Sequence, residues 1–335
     1  AVSYGQMEVV APITDLIDDV GAEYFANPRL LAPYELNGEY WGMPLVTFPG
    51  IMFYRKDVYD RHGLTAPATW DEWLDAARKT NEDLDGDGNI NRYGAVLGIG
   101  EDWPLGNLRA SNADYWWDAE GNDTVGERTA EVFDFVRTLF DEACYPGSTT
   151  LTNEGQRLAL LADQGASIVT STSFLWPLER EKPEWLEEGI IAAAPVPVNR
   201  PGTPGAGAEA PSHCLAVVNG PNIDSAKEFL RFFMAKESLI KYFSSNIPGH
   251  LPPFSIVWDS DVFWGVNPNF APIFSAGRET IETTEWQHPT VAWGSLATVE
   301  LGYLMQRVTV DRWPTEKILD ALHKGIRDAK AEFAR

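Results

Sequence analysis

Residues 67–77 read PATWDEWLDAA, a stretch that combines a helix start with the apolar spacing of a helix. Thr69 precedes the helix and Glu72 follows three residues later, which is the pattern of a capping box. Apolar residues then recur at i, i+3, i+4 and i+7, as the buried stripe of an amphipathic helix requires. These residues are Trp70, Trp73, Leu74 and Ala77. The stretch therefore predicts a helix that packs one face against a core.

Short apolar runs and amphipathic stretches alternate over the rest of the chain. The runs at 95–99, 166–170, 190–195 and 215–218 have the length of strands that are buried on both faces. Three further helical stripes follow along the chain. The first contains Val132 and Phe135; the second contains Ala226, Phe229, Leu230 and Phe233; the third contains Ile318, Leu322, Ile326 and Ala329. Strand–helix alternation of this kind predicts an α/β fold.

Length, charge and cysteine content exclude several classes of protein. The 335 residues exceed the roughly 250–300 residues that one hydrophobic core serves, which predicts two lobes. The net charge of −23 argues against nucleic-acid binding, because a phosphate backbone needs a basic surface. No apolar run approaches the roughly 20 residues of a transmembrane helix, and no export signal is visible. Cys144 and Cys214 form no disulfide framework or metal pair, which favours two buried thiols over a bridge.

Many aromatic residues lie in Gly-, Pro-, Asn- or Ser-rich surroundings, where loops are expected. A large ring on a loop is costly to leave in water unless it covers something, and ligand clefts are rich in aromatic side chains. We therefore expect at least two of these rings to line a cleft, where they would cover the apolar face of a sugar. The alternative is that each ring plugs the surface of a lobe. The residues are Trp103, Tyr115, Trp116, Trp117, Trp176, Trp264, Trp286 and Trp293.

A series of short segments follows a definite order along the chain. They are NGEYWGMPL at 37–45, MFYRKDVY at 52–59, GL at 63–64, PATWDE at 67–72, QGASIV at 164–169, APVP at 194–197, AKEFL at 226–230 and GHLP at 249–252. In this order they resemble the motifs of family 1 extracellular solute-binding proteins of ABC importers. Each motif is weak alone, and their order makes the combined resemblance specific.

The resemblance implies a two-lobe type II periplasmic binding protein fold, which is an α/β fold with a hinged cleft. It also implies that the first lobe is incomplete at its N-terminus, because the sequence starts just before the family segment matched by 10–13. The implied division assigns 1–52 and 213–272 to lobe 1 and 57–208 and 276–335 to lobe 2. The chain would cross the hinge near 53–56, 209–212 and 273–275.

The same resemblance implies binding and not catalysis. The protein would be an extracytoplasmic receptor that captures a carbohydrate by hinge closure and delivers it to the transmembrane subunits of an ABC permease. It would be a monomer that requires no cofactor and binds no nucleic acid. We expect it in the periplasm or outside the cell, with a lipid anchor left open.

Candidate ligand contacts follow from the matched motifs. Thr47 and Phe48 would occupy a loop that faces the solute in sugar-binding relatives, and Trp293 resembles the C-terminal stacking aromatic of maltose-binding relatives. The other candidates follow the predicted strands at 166–170 and 95–99, because open α/β sheets bind ligands at strand ends. They are Ser173, Phe174 and Trp176 after the first strand, and Glu101, Asp102 and Trp103 after the second.

Two departures from the family leave the solute open. The lysine that is usual in the motif at 164–169 is lacking, and no acid stands in the loop at Phe48. The solute could therefore be smaller than a maltodextrin, or differently polar.

The acidic loop at 83–91 has the ligand spacing of a calcium site. Its carboxylates occupy positions 1, 3 and 5, and glycine occupies position 6. Position 12 is Gly94 and not the bidentate glutamate, so a further ligand would have to come from elsewhere. The loop predicts a structural calcium ion held by Asp83, Asp85, Asp87 and Asn89; the alternative is an ordinary surface turn.

Two other functions remain open from the sequence. A carbohydrate-active hydrolase needs only two carboxylates about 5–10 Å apart, and the 49 acidic residues could supply them. The chain nevertheless lacks a G-x-S-x-G elbow, a phosphate-binding loop and an H-E-x-x-H motif. A receptor for a non-sugar solute such as a polyol phosphate would need a bidentate arginine. The candidates are Arg109, Arg157, Arg180 and Arg278.

Overall fold

The computed structural model describes residues 1–101, 103–118, 122–203, 212–245, 248–284 and 301–333. The strands are β1 (Val10–Ala11), β2 (Glu35–Leu36), β3 (Glu39–Tyr40), β4 (Met43–Thr47), β5 (Gly50–Arg55), β6 (Ser167–Ser171), β7 (Ile191–Pro195), β8 (Ser212–Leu215) and β9 (Val217–Val218). Short 3-10 turns are formed by Ala22–Tyr24, Pro28–Tyr34, Pro146–Thr150, Thr172–Phe174 and Pro268–Phe270.

Helices make up most of the remaining structure. They are α1 (Val2–Gln6), α2 (Thr14–Val20), α3 (Lys56–Arg61), α4 (Trp70–Lys79), α5 (Trp103–Ala110), α6 (Glu127–Ala143), α7 (Asn153–Leu161), α8 (Leu175–Glu181), α9 (Pro183–Glu187), α10 (Ile223–Met234), α11 (Lys236–Ser244), α12 (Ser255–Trp258), α13 (Asp261–Trp264), α14 (Ala271–Thr283), α15 (Leu301–Thr309) and α16 (Thr315–Phe333). Among the described helices, none has both the length and the apolarity needed to cross a bilayer.

Helix α4 forms as its sequence predicts. The Thr69 hydroxyl accepts the backbone N–H of Glu72, and the Glu72 carboxylate accepts the backbone N–H of Thr69, which completes the capping box. The predicted stripe is buried, and the Trp73 indole donates to Ser167 Oγ at 2.9 Å. Helix α4 is thereby attached to strand β6.

Of two other predicted helical stripes, the structure confirms the one on α16 and corrects one residue of the one on α10. The stripe of α16 is buried as predicted, from Ile318 to Ala329. On α10, by contrast, Leu230 and Met234 face the core, and Phe229 is 59% exposed. Successive residues of a helix are about 100° apart, so burial of Leu230 turns Phe229 towards the surface. The prediction that Phe229 belongs to the buried stripe is therefore wrong.

Strand β5 is the centre of a three-stranded antiparallel sheet in the order β6-β5-β7. Its side chains alternate between two clusters of buried apolar residues, with Ile51 and Phe53 in one cluster and Met52 in the other. The predicted strand at 95–99 contributes isolated bridges, including a parallel bridge from Val96 to Ile168. Buried β-rich segments between layers of helix confirm the predicted α/β class.

A second group of strands lies before and after this sheet in the chain. Strand β4 pairs with β8, and β1 pairs with β9, both antiparallel. Only Phe48 and Pro49 separate β4 from β5. Because β5 pairs along its whole length with β6 and β7, residues 50–52 lie in the sheet of predicted lobe 2, although the predicted division assigns them to lobe 1. The third predicted crossing, 273–275, lies inside helix α14. The division into lobes otherwise stays a prediction.

Thr172 joins the two groups of strands. Its backbone N–H donates to the Pro49 carbonyl at 3.1 Å, and its hydroxyl donates to the Gly249 carbonyl at 2.8 Å. Gly249 has a φ of +87°, and a Cβ built there would lie 2.2 Å from the Thr172 carbonyl oxygen. Gly249 is therefore required both by its backbone conformation and by the space available.

The two cysteines are free thiols. Cys144 is buried beside Ser148 Oγ, and burial raises the pKa of its thiol to about 12. Burial also raises the pKa of Cys214, which is partly exposed. Both thiols are thus protonated at neutral pH.

We predict that Gly249→Ala destabilises the protein more than Gly189→Ala. Both glycines have a positive φ, which costs alanine about 1–2 kcal/mol, but Gly189 has open space around it. The difference between the two variants isolates the clash with Thr172. Urea unfolding followed by circular dichroism measures both losses. Equal losses in the free energy of unfolding would show that the segment around Thr172 accommodates the added methyl group without further destabilisation.

Candidate ligand-binding site

Some of the predicted ligand contacts lie near the point where strand β6 ends beside the start of β5. Ser171 pairs with Gly50, and Thr172 follows against Pro49 and Gly249. Asn107 of α5 also reaches this point, since a Cβ on Gly50 would lie 1.7 Å from its Oδ1. We call residues 49–50, 171–173 and 249 the cleft floor; of these six residues, only Ser173 is partly exposed.

Glu101 lies at one side of the cleft floor and is held by the start of α7. Its Oε2 accepts the backbone N–H of Asn153 at 2.9 Å. The Asn153 side-chain oxygen in turn accepts the Thr170 hydroxyl at 2.8 Å and the Gln156 amide at 2.7 Å. Glu101 is therefore connected to strand β6 through the Asn153 residue.

Arg157 continues this network beneath the floor. Its Nε donates to Thr170 Oγ1 at 2.9 Å, and its Nη2 donates to Ser171 Oγ at 2.8 Å and Ser173 Oγ at 2.9 Å. The side chain is buried, and the nearest carboxylate is Glu154, 3.3 Å from Nη1. Burial lowers the pKa of Arg157, and Glu154 and then Glu101 oppose this shift. The network links the predicted contacts Glu101 and Ser173 through residues that the sequence does not associate.

Two indoles are at least partly exposed on helices that reach the floor: α8 follows the turn at 172–174, and α5 carries Asn107. Trp176 of α8 is 52% exposed, and the Arg180 guanidinium lies 5.3 Å from its ring centroid. Trp103 is partly exposed at the start of α5, and its carbonyl accepts the Asn107 amide at 3.0 Å. An exposed indole of this kind can stack on an apolar ligand face without first leaving a core.

Phe48 lies between two imidazoles on the other side of the floor. Its ring centroid is 4.6 Å from that of His213 and 4.9 Å from that of His250, both edge-on. Burial lowers the pKa of His250, and the neighbouring His213 adds to this effect. His250 directly follows Gly249, so this aromatic group adjoins the floor. The His250 imidazole is therefore uncharged at neutral pH.

Two predicted contacts are core residues in this conformation. Phe174 is fully buried, with its ring edge-on to Phe53 at 5.0 Å. Thr47 is also fully buried, and its hydroxyl donates to the Leu251 carbonyl at 3.0 Å. Adjacent residues of the turn at 172–174 point in different directions, so Ser173 is partly exposed while Phe174 fills the core. Proximity in sequence to a strand end did not distinguish these orientations.

Other predicted rings also belong to the core or lie outside the described residues. Trp116 and Trp117 are buried, and Trp264 packs beside Trp258 and donates to its carbonyl at 2.8 Å. Asp102, Trp286 and Trp293 lie outside the described residues. The predictions that Asp102 and Trp293 contact the ligand stay predictions.

Sequence reasoning missed His213 and His250 at this site. Their separation in the chain conceals their proximity, which arises because β8 pairs with β4 and because 249–251 packs beside Thr47. His250 lies within the segment GHLP, which was the only available signal. Arg157 was considered only as a phosphate ligand.

The four candidate phosphate-binding arginines all have partners. Arg109 donates to buried Asp114 and stacks on Trp116, with Cζ 3.7 Å from the ring centroid. Arg180 pairs with Glu181, and Arg278 pairs with Glu282. With Arg157 engaged by hydroxyls, the described arrangement does not offer a phosphate a free guanidinium fork at the floor.

The acidic loop brings its three carboxylates together at the surface. One carboxylate oxygen from each of Asp83, Asp85 and Asp87 lies within 4.8 Å of the others. Backbone N–H groups of Gly88 and Gly86 lower the pKa of Asp83, and Asn89 lowers that of Asp87. The Asp83 and Asp87 carboxylates are thus charged at neutral pH, as calcium binding requires. The calcium site, including Asn89 as a ligand, stays a prediction.

We predict that Ca²⁺, but not equimolar Mg²⁺, raises the melting temperature of the metal-free protein. Calcium tolerates an irregular set of oxygen ligands better than magnesium does. Differential scanning calorimetry with and without each ion tests this. Asp85→Asn should abolish the rise, and Asp259→Asn, another exposed acid, should preserve it. A similar rise in the Asp85→Asn variant would place the ion elsewhere.

Comparisons with known proteins agree with this architecture. The model of a family described as bacterial extracellular solute-binding protein matches residues 3–239. A curated relative, the putative ABC transporter periplasmic-binding protein YcjN of Escherichia coli, is 29% identical over 118 residues. That alignment covers 34% of this chain and only 26% of YcjN, so it spans about a quarter of the relative's length.

Two solved structures are similar over almost the whole chain. The sugar-binding protein MalE of Xanthomonas citri gives a TM-score of 0.80 at 15% identity, over 99% of this chain and 82% of that one. A solute-binding protein of an ABC transporter from Agrobacterium radiobacter, in complex with ribitol, gives a TM-score of 0.72 at 18% identity. The match covers 98% of this chain and 81% of that one. These likenesses confirm the predicted two-lobe α/β fold.

Proposed function

We propose that this chain, which belongs to the family of bacterial extracellular solute-binding proteins, is the receptor of an ABC importer and captures a carbohydrate or polyol by hinge closure. The observation that carries the proposal is the composition of the cleft floor. The partly exposed hydroxyl of Ser173 belongs to a hydrogen-bonded network, the half-exposed indole of Trp176 follows three residues later, and the Phe48–His250 group adjoins Pro49 and Gly249. A flat, polyhydroxylated solute matches both kinds of surface.

The charges around the floor support a neutral solute. The buried cation Arg157 is opposed by two carboxylates, Glu154 and Glu101. Its Nε and Nη2 donors are used by hydroxyls of the protein itself. A phosphate normally recruits a bidentate arginine, so a polyol phosphate is less well supported.

Family membership supports binding over catalysis. A hydrolase would need a second carboxylate about 5–10 Å from a first one such as Glu101. Glu101 instead accepts a backbone N–H at the start of α7, which gives it a positioning contact. The hydrolase alternative predicts turnover, and the receptor predicts binding without turnover.

Closure would follow from contacts that the solute makes with both sides of the floor. Phe48 and His250 adjoin Pro49 and Gly249, which both bond to Thr172, and Ser173 and Trp176 follow Thr172 in the chain; these are the two groups that a solute would contact. A solute that contacts both sides only in the closed conformation shifts the population towards that conformation. Closure would then present the receptor to the transmembrane subunits of a permease.

Location and partners extend the proposal. The curated relative YcjN is described as a periplasmic-binding protein of a putative ABC transporter, which supports a place outside the cytoplasmic membrane. We propose that the protein acts there as a monomer, either free or lipid-anchored, and binds no nucleic acid. The charge of −23 supports the last point.

A thermal-shift screen tests the solute class. We expect at least one neutral compound among maltose, laminaribiose, D-mannitol and ribitol to raise the melting temperature, since a ligand at 100 times its Kd stabilises by about 2.7 kcal/mol. Glucose 6-phosphate should bind more weakly than that compound, and chromatography should detect no cleavage. A shift with the phosphate alone would favour the polyol phosphate alternative, and released monosaccharide would favour the hydrolase.

We predict that Trp176→Ala weakens binding of the best compound at least tenfold, or about 1.4 kcal/mol. Trp176 is half exposed, so its removal should leave the unliganded melting temperature nearly unchanged. Isothermal titration calorimetry measures the affinity. The matched control is Phe232→Ala, which removes an exposed aromatic ring from a different helix, α10. This variant should bind the compound normally. Unchanged affinity of Trp176→Ala would remove this indole from the site. Trp293→Ala should likewise weaken binding at least tenfold, with little change in the unliganded melting temperature.

A further inference from the structure

Arg157 uses nearly all of its hydrogen-bond donors inside the protein. A guanidinium has five N–H donors and no acceptor. Nε donates to Thr170, both Nη2 partners are serine hydroxyls, and Nη1 reaches Glu154. Each of the three hydroxyl oxygens therefore accepts a bond from a cationic donor. Each must direct its own proton to another acceptor.

The three hydroxyl protons can be followed one by one. The Thr170 proton goes to the Asn153 side-chain oxygen at 2.8 Å. The hydroxyl oxygens of Ser171 and Ser173 are 2.5 Å apart, so one donates to the other. Ser171 is 3% exposed, whereas Ser173 is partly exposed.

Burial decides the direction of the bond between the two serines. If Ser173 donated to Ser171, the Ser171 proton would remain in a buried position with no acceptor assigned among the described residues, which is costly. Donation from Ser171 to Ser173 avoids this cost. The chain of donors then ends at the proton of Ser173, whose side chain is partly exposed.

We propose that Arg157 is a positioning residue that acts through Ser171 and makes Ser173 a hydrogen-bond donor to the solute. This inference rests on the proposed function, and it specifies what the solute must offer at this point. The group opposite Ser173 must carry an acceptor oxygen, such as a hydroxyl, ring or glycosidic oxygen. An ammonium group, which can only donate, is disfavoured there.

Paired substitutions test the coupling between Arg157 and Ser173. The probe is whichever of maltose, laminaribiose, D-mannitol and ribitol raises the melting temperature of the native protein most. Ser173→Ala and Arg157→Met should each weaken its binding about three- to tenfold, as loss of one hydrogen bond does. The double variant should bind no more weakly than the worse single variant, because both changes remove the same bond. Losses that multiply would overturn the proposal.

Hydrogen exchange tests the positioning role without a ligand. In Arg157→Met, faster amide exchange should be confined to residues 170–174, and Leu158→Ala, an exposed neighbour on α7, should exchange like the native protein. Faster exchange throughout β5 and β6 would indicate a merely structural arginine, and unchanged exchange at 170–174 would also overturn the proposal. If Arg157→Met does not fold, Arg157→Lys, which keeps the charge and loses the fork, replaces it in both tests.

The two experiments separate the inference from the function on which it rests. If no compound of the panel binds the native protein, the carbohydrate proposal fails, and hydrogen exchange still decides whether Arg157 orders the Ser171–Ser173 segment. If a compound binds and the two substitutions are additive, the function stands and the inference fails.

Discussion

The contact of Thr172 with Pro49 and Gly249 is the constraint on which the site depends. Two hydrogen bonds hold the end of strand β6 against the connection between β4 and β5 and against the segment before Leu251. A side chain at Gly249 would occupy the space that this contact needs. The contact therefore joins segments that are distant in the chain, since Thr172 and Gly249 are 77 residues apart, and it brings Ser173 towards the segments that carry Phe48 and His250.

The polar and apolar parts of the site are held in place to different degrees. The serine hydroxyls rest on a buried network that ends at Arg157 and Glu101, in which most donors have a defined acceptor within the protein. Such a network is stiff because its buried protons are committed, and it leaves the Ser173 proton for a solute. Trp176 has little support of this kind, since half of its surface is exposed. Fixed hydroxyl groups together with a more mobile indole at Trp176 suit a receptor that closes around its solute.

Much of the architecture was predictable because it depends on local patterns. The capping box at Thr69 and the apolar spacing of α4 and α16 are properties of neighbouring residues, and the structure confirms them. Strands β6 and β7 also lie within one residue of their predicted bounds. The site was less predictable, because a residue beside a strand end can face either the cleft or the core. Ser173 and Phe174 are adjacent, yet only Ser173 is accessible, and Thr47 is similarly buried.

The sequence by itself determined the α/β class, the order of the family motifs and an acidic, aromatic-rich composition, since these are written in short segments and totals. Tertiary structure alone decided that Phe48 lies between His213 and His250, and that Arg157 holds Ser171 and Ser173. The first group meets through antiparallel pairing of segments that are distant in the chain, and the second through packing of helix α7 against strand β6. Periodicity reports which face of an element is apolar, and it carries no information about which distant element packs against that face.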